Sequence, residues 1–324
     1  MLFLKIGYPC INNSIPRNGP STFRLASYSE NRLVQTVKSN LMHLHRILKY
    51  NVKNNLLFFR ISSDLIPFAS HPICKLNWCR IFQSEFEQIG DFIKSHNIRV
   101  SMHPDQFVIL NSPNTKIVEN SIKELKYHSS ILDAMCLDET AKIQIHVGGV
   151  YKNKQEAIDR FVRTFIDISK FVDSSIKKRL VIENDDRLYS LIDCLSINQE
   201  IGIPIVFDVF HHELLNNDEP LREALQKAMS TWKTSYDGLP IVDYSSQNKV
   251  NGGEGKGRRG RHTETIDLKS LVRLLKVTQD LDFDIMLEIK DKEKSALKTL
   301  EFLKTKKYFL SIVDASHPLM NKHV

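Results

Sequence analysis

The chain predicts an α/β fold, a (β/α)8 barrel in a single domain, and three observations carry that prediction. Eight short runs rich in Val, Ile, Leu and Phe alternate with eight longer stretches of helical periodicity, the pattern of βα units around a parallel sheet. Six of the apolar runs finish on a carboxylate or a histidine: SMHPD at His103, IQIHVGG at His146, LVIEND at Glu183, VFDVFHH at Asp208 and His211, LPIVDY at Asp243, and IMLEIKD at Glu288. The turn after the first run, GYPCINNS, lacks the G-x-G-x-x-G phosphate turn that a doubly wound open sheet usually carries there. In a barrel the reactive groups come from the C-terminal ends of several strands, so the second observation supports the fold and also locates its site.

The strand candidates are, in order, Leu2 to Gly7, Leu56 to Ser62, Arg99 to His103, Lys142 to Val147, Arg179 to Glu183, Pro204 to Asp208, Pro240 to Ser245 and Asp284 to Glu288. The first helical stretch, Glu30 to Tyr50, repeats Leu33, Val37, Leu41, Leu44 and Leu48 at helical spacing, with Ser29 or Ser27 to cap its start. Similar patterns run from Trp78 to His96, Thr115 to Cys136, Lys154 to Val172, Leu188 to Glu200, Pro220 to Trp232, Leu268 to Leu281 and Lys292 to Lys304. Residues 1–304 are therefore read as the barrel, and 305–324 as a C-terminal tail packed on it or extending from it. One stretch interrupts the alternation: NKVNGGEGKGRRGRH, Asn248 to His262, reads as a basic glycine-rich loop after the seventh strand.

Composition narrows the class of protein. With 324 residues and 42% hydrophobic content, one large core is within reach. The net charge of +7 fits a polyanionic partner, although 45 basic against 38 acidic residues is a mild excess. Five cysteines without CxxC spacing argue against a disulfide framework and predict a reduced, cytoplasmic protein, on the nucleoid if the host is bacterial. The start MLFLKIGYP is too short for a signal h-region, and no run of about 18 apolar residues predicts a membrane span. Nothing in the pattern demands a dimer, so a monomer is expected.

An ionised carboxylate at the end of a buried strand costs several kcal/mol unless it is paired or binds a metal. Carboxylates and histidines gathered from many strand ends are hard-to-borderline ligands for divalent ions, and two or more ions are expected. His71 and His262 lie in loops on the same face and join the candidates. Asp208 and His211 form a D-x-x-H step that turns off the strand and offers two ligands. His212 is read as structural, because consecutive residues at a strand end face different ways. His43, His45, His96, His128, His317 and His323 are read as structural or solvated. No Schiff-base lysine and no Ser or Cys nucleophile signature stands out, which favours metal-activated water attacking an electrophile, with a phosphodiester the best match to a basic surface.

Three further features address the substrate. Gln106 and Phe107 follow His103 and should project over the site, where an aromatic beside an amide can wedge into a base stack. Tyr8 and Asn12, at the end of the first strand, invite a similar role. Arg258, Arg259 and Arg261 form a candidate phosphate clamp. For each of these the competing reading is ordinary loop packing or a solvated surface.

The motifs IGYPCIN, FRISSDLIPFASH, SMHPDQFVILNSP, IHVGG, LVIENDD, FDVFHH, PIVDYSSQ, GRRGRH and EIKDKEKSAL span Ile6 to Leu297, and together they resemble the UV damage endonuclease family. The resemblance implies a TIM barrel similar to the zinc AP endonucleases, with two or three divalent ions, usually Mn²⁺ with Mg²⁺, Co²⁺ or Zn²⁺ as alternatives. It also implies cleavage of damaged double-stranded DNA on the 5′ side of cyclobutane dimers, (6-4) photoproducts and some other lesions. Carried over by position, His71, His103, His146, Glu183, Asp208, His211, His262 and Glu288 would be metal ligands, with Glu183 the bridge and Glu183, Asp208 and Glu288 the catalytic carboxylates. Gln106 and Phe107 match the family's probing pair, where phenylalanine stands for the usual tyrosine, and Tyr8 and Asn12 match residues near the damaged strand. The seventh strand departs: Ile241 and Asp243 stand where the family commonly has lysine and histidine, so Asp243 is expected to ligate in the histidine's place. Two alternatives stand beside this reading. One is a metal-dependent sugar isomerase or epimerase of the same barrel type, using Glu183 and Glu288; the other is a cleavage-deficient binder of damaged DNA.

Overall fold

The computed structural model describes residues 4–17, 19–171, 174–246 and 262–305. Eight parallel strands close in chain order: β1 (Ile6–Pro9), β2 (Phe58–Ile61), β3 (Arg99–Met102), β4 (Lys142–His146), β5 (Leu180–Glu183), β6 (Ile205–Asp208), β7 (Ile241–Tyr244) and β8 (Asp284–Leu287). Ile285 opposite Ile6, and Met286 opposite Gly7, complete the ring. The expected (β/α)8 barrel is present.

Around it lie α1 (Glu30–Lys53), α2 (Trp78–Ile81), α3 (Gln83–Ser95), α4 (Thr115–Ala134), α5 (Lys154–Phe171), α6 (Ser174–Arg179), α7 (Leu191–Ile201), α8 (Val209–Leu214), α9 (Leu221–Met229), α10 (Thr234–Asp237), α11 (Leu268–Val277) and α12 (Glu293–Thr305). The face predicted for α1 is the buried one, and the Ser29 side chain caps it by accepting from the Arg32 N–H. Where one helix was expected from Trp78 to His96, Phe82 is buried and leaves helical backbone, so the stretch splits into α2 and α3. The short α6, α8 and α10 escaped prediction, because one turn or two carries too little period to register. Residues 306–324, the expected tail, lie outside the described residues.

The strand pleat builds the barrel interior in layers. Phe58, Val181, Val206, Ile241 and Met286 form a buried cluster with Trp232. Two residues further along the same strands come Arg60, Glu183, Asp208, Asp243 and Glu288. Side chains repeat on one face of a strand every second residue, so the apolar set is a floor and the polar set the layer above it, toward the C-terminal mouth. Below the floor two ion pairs brace the other end: Arg99 Nη1 lies 2.7 Å from Asp284 and Lys142 Nζ 2.6 Å from Asp237. Outside the strands, the larger apolar core joins the barrel to its helices.

Close approach of helices fixes one glycine. A Cβ on Gly90 of α3 would stand 1.8 Å from the Met135 carbonyl at the end of α4. Gly90→Ala must therefore push the two helices apart and should cost about 1–3 kcal/mol or more, read as a lowered midpoint in urea with an unchanged m-value. The five cysteines are free thiols, and no described helix is long and apolar enough to cross a membrane.

Candidate metal centre

Glu183 stands at the middle of the polar layer. Its carboxylate is 1% exposed, with Oε2 3.3 Å from His103 Nε2 and 3.6 Å from His146 Nε2, and Oε1 2.9 Å from His211 Nδ1. Among the described residues three sets of ligand atoms converge here, each within 4.8 Å: His103, His146 and Glu183; Glu183, Asp208 and His211; Asp208, Asp243 and Glu288. Glu183 belongs to the first two sets, and Asp208 to the last two.

The backbone aims these groups. The Nδ1–H of His103 donates to the Pro104 carbonyl at 3.0 Å, which turns Nε2 toward Glu183. His262 Nδ1 lies 2.6 Å from the Glu288 carbonyl and is fixed in the same way. The D-x-x-H step behaves as expected: Asp208 ends β6 and caps α8, accepting from the His211 N–H at 2.7 Å, so a single turn places both side chains beside Glu183.

Charge is badly balanced in this layer. Burial pushes Asp208 up to about 8, with the Glu183 and Glu288 carboxylates adding to the rise and His211 opposing it. Burial would lower His211, but Asp208 and Glu183 overcome it and raise the imidazole to about 11. Burial likewise opposes ionisation of Glu183, yet His146, His103 and His211 hold it well below the usual carboxylate range. The His211 proton thus stands between two carboxylates where a cation would be more effective. Among the described residues, Asp208 Oδ2 and His146 Nδ1 are buried without a hydrogen-bond partner. Orphaned ligand atoms, protons standing in for cations and a His/carboxylate donor set fit divalent ions of the Mn²⁺, Mg²⁺ or Zn²⁺ kind.

Two members of the layer were missed by sequence reasoning. Arg60, 3% exposed at the end of β2, lies 2.8 Å from Asp243 Oδ2 and is ion-paired with Glu288. Gln144 of β4 donates from Nε2 to both Glu183 and Asp243 at 2.6 Å and accepts from Arg60 Nη2 at 2.9 Å. The signal was there: FFRI and KIQIH each carry a polar residue inside an apolar run, at the same height as the acids. Above the layer opens a cavity of about 580 Å³ lined by Arg60, His103, Gln106, His146, Glu183, His211, His262, Glu288 and Lys292 among others.

Several expected site residues sit differently. Tyr8 and Asn12 do not face a duplex, since both are 0% exposed. The Tyr8 hydroxyl donates to Asn51 of α1 at 2.5 Å and accepts from Asn12 at 2.7 Å, which fastens the first loop to the barrel wall. β1 extends through Pro9, which places Tyr8 within the strand. His71 is exposed, its Nδ1 accepting from the Ile73 N–H at 3.1 Å, and it joins none of the three sets. Asp243 meets the third set, but both its oxygens are engaged by Arg60 Nη2, at 2.8 and 3.0 Å. Ile241 belongs to the floor. Gln106 and Phe107 stand exposed at the mouth, Phe107 by 61%. Arg258, Arg259 and Arg261 lie outside the described residues.

Residues 4–316 match the family model described as UV-endonuclease UvdE. The chain is 38% identical over 302 residues to the UV DNA damage endonuclease of Clostridium perfringens (strain 13 / Type A), covering 93% of this chain and 71% of that protein. It is 37% identical over 276 residues to the UV DNA damage endonuclease of Bacillus cereus (strain 03BB102), covering 85% and 84%. Among solved structures, SacUVDE superposes with a TM-score of 0.85 at 43% identity, covering 93% of this chain and 98% of that one.

Proposed function

The chain belongs to the UV-endonuclease UvdE family, enzymes that cut damaged DNA, and from that premise we propose that it is a metal-dependent nuclease of photodamaged duplexes. It binds double-stranded DNA at cyclobutane dimers, (6-4) photoproducts and related lesions, and hydrolyses the phosphodiester immediately 5′ to them. The observation that carries the chemistry is Glu183, shared between two sets of ligand atoms at the base of an open cavity.

Divalent ions held there, Mn²⁺ first among them, would lower the pKa of an attacking water and neutralise charge on the leaving oxygen. The chain's own residues do the rest. His103, His146 and Glu183 make one seat, and Glu183, Asp208 and His211 the other. Gln144 locks the Glu183 carboxylate in register, and the carbonyl contacts of His103 and His262 hold their rings. Lys292 on the cavity wall offers positive charge to the incoming backbone. Gln106 and Phe107 stand where a weakened base stack would arrive, and flipping costs least where pairing is already damaged.

A purified sample given Mn²⁺ and a duplex carrying one thymine dimer should yield a single nick directly 5′ to the dimer. No cut at the lesion, beside a working control enzyme, would sink the proposal. Phe107→Ala should weaken lesion binding by about 1–3 kcal/mol, roughly 5- to 150-fold in Kd, while leaving the melting temperature unchanged because the ring is exposed. Fluorescence anisotropy with lesion and undamaged duplexes reads the difference.

A further inference from the structure

We infer that Arg60 takes the place of one ion: among the described residues three sets of ligand atoms gather, yet metal is seated in only two of them, the third being filled by the Arg60 guanidinium. The inference rests on the proposed function only in requiring that divalent ions bind at this site.

The three sets differ in what already occupies them. In the first two, carboxylates face imidazoles, and Asp208 Oδ2 and His146 Nδ1 have no hydrogen-bond partner among the described residues, the nearest cation to Asp208 Oδ2 being the His211 ring at 3.6 Å. Among the described residues, no permanently charged side chain stands in either of these sets. In the third set, Asp208, Asp243 and Glu288 surround a fixed cation. Arg60 Nη2 donates to both Asp243 oxygens at 2.8 and 3.0 Å and to Gln144 Oε1 at 2.9 Å, while Nη1 pairs with Glu288 Oε1. Asp243 Oδ2 also accepts from Gln144 at 2.6 Å. A guanidinium is planar, permanently charged and built to meet carboxylates with several N–H groups at once. An ion arriving here would have to expel it from its partners or accept a like charge at contact distance.

Charge counting agrees. The layer holds four carboxylates, Glu183, Asp208, Asp243 and Glu288, and all but Glu288 are 1% exposed or less. Arg60 and two divalent ions leave a small positive excess, enough to receive a phosphate. A third ion beside Arg60 would leave a larger excess in the same buried space. On this account Asp243 supports Glu183 through Gln144 and never touches metal, which makes it and Arg60 positioning residues.

Metal content decides the matter. The full-length protein, loaded with Mn²⁺, desalted and measured by elemental mass spectrometry with titration calorimetry alongside, should hold two equivalents. One or three would overturn the inference. No uptake of Mn²⁺, Mg²⁺, Co²⁺ or Zn²⁺ would overturn the proposed metal dependence itself, and this inference with it. Asp243→Asn should keep two equivalents and lose about tenfold in affinity, as expected for a residue acting through a ligand's partner; losing an equivalent would make Asp243 a ligand and refute the inference. Arg60→Met, checked for native circular dichroism, should gain a third equivalent, and a folded variant that still holds two would also refute it. Should that variant fail to fold, the wild-type and Asp243→Asn counts decide alone.

Discussion

Glu183→Ala is expected to lose its ions and its cutting together, with kcat on a dimer-containing duplex falling by about 10³-fold or more. Glu183 is the carboxylate common to two sets of ligand atoms, so its removal disturbs both seats at once, whereas His103 or His211 belongs to only one. Several kcal/mol of transition-state stabilisation depend on such ions, and each 1.36 kcal/mol is a factor of ten. The glutamate also orders the layer: Gln144, His103, His146 and His211 all contact it. Glu183→Gln keeps the shape and separates the two contributions, since it retains packing while halving the ligand oxygens. Single-turnover nicking and metal content measured on the same samples test this. A Glu183→Ala protein that cuts at the normal rate would refute a shared centre.

Arg60→Met should have the largest effect on the metal-free protein. Removing one partner of a buried ion pair leaves the other charge uncompensated, which typically costs about 3–5 kcal/mol. Here the abandoned partners are Asp243 and Glu288, which stand beside Asp208 in a layer already short of positive charge. In EDTA the melting temperature should drop by on the order of 10 °C. Added Mn²⁺ should recover much of that loss, because an ion can then compensate the same carboxylates. Calorimetric scans with and without metal give the comparison. An unchanged melt in EDTA would mean that the guanidinium contributes nothing net.

Much of this architecture could be read before any coordinates. Seven of the eight strands end within one residue of their expected limits, and the acids and histidines do stand at the mouth, because a buried parallel strand has few ways to end on a carboxylate. The failures have physical causes. In MLFLKIGYP the apolar run is continuous, so period gives no register, and only pairing of Gly7, Tyr8 and Pro9 with Phe58, Phe59 and Arg60 shows that Tyr8 is inside the sheet. His71 and His262 look equivalent as loop histidines, yet only the second is tied by its ring to the Glu288 carbonyl, just past β8, and lines the cavity. Arg60 is invisible to a reading of acids and imidazoles alone, because the layer is balanced by a cation. Which of several ligands share a set is three-dimensional information that spacing does not carry.

The apolar floor also sets an order of events. Among the described residues, Phe58, Val181, Val206, Ile241 and Met286 close the barrel beneath the carboxylates, so the cavity above them is the doorway that ions and DNA would share. A duplex lying across that doorway becomes its lid. On the proposed function, ions are then expected to load before the DNA docks and to leave after it departs. EDTA added to a preformed complex of loaded protein and uncleavable lesion duplex should strip metal more slowly than EDTA added to the free protein, and equal stripping rates would show that a second exit exists.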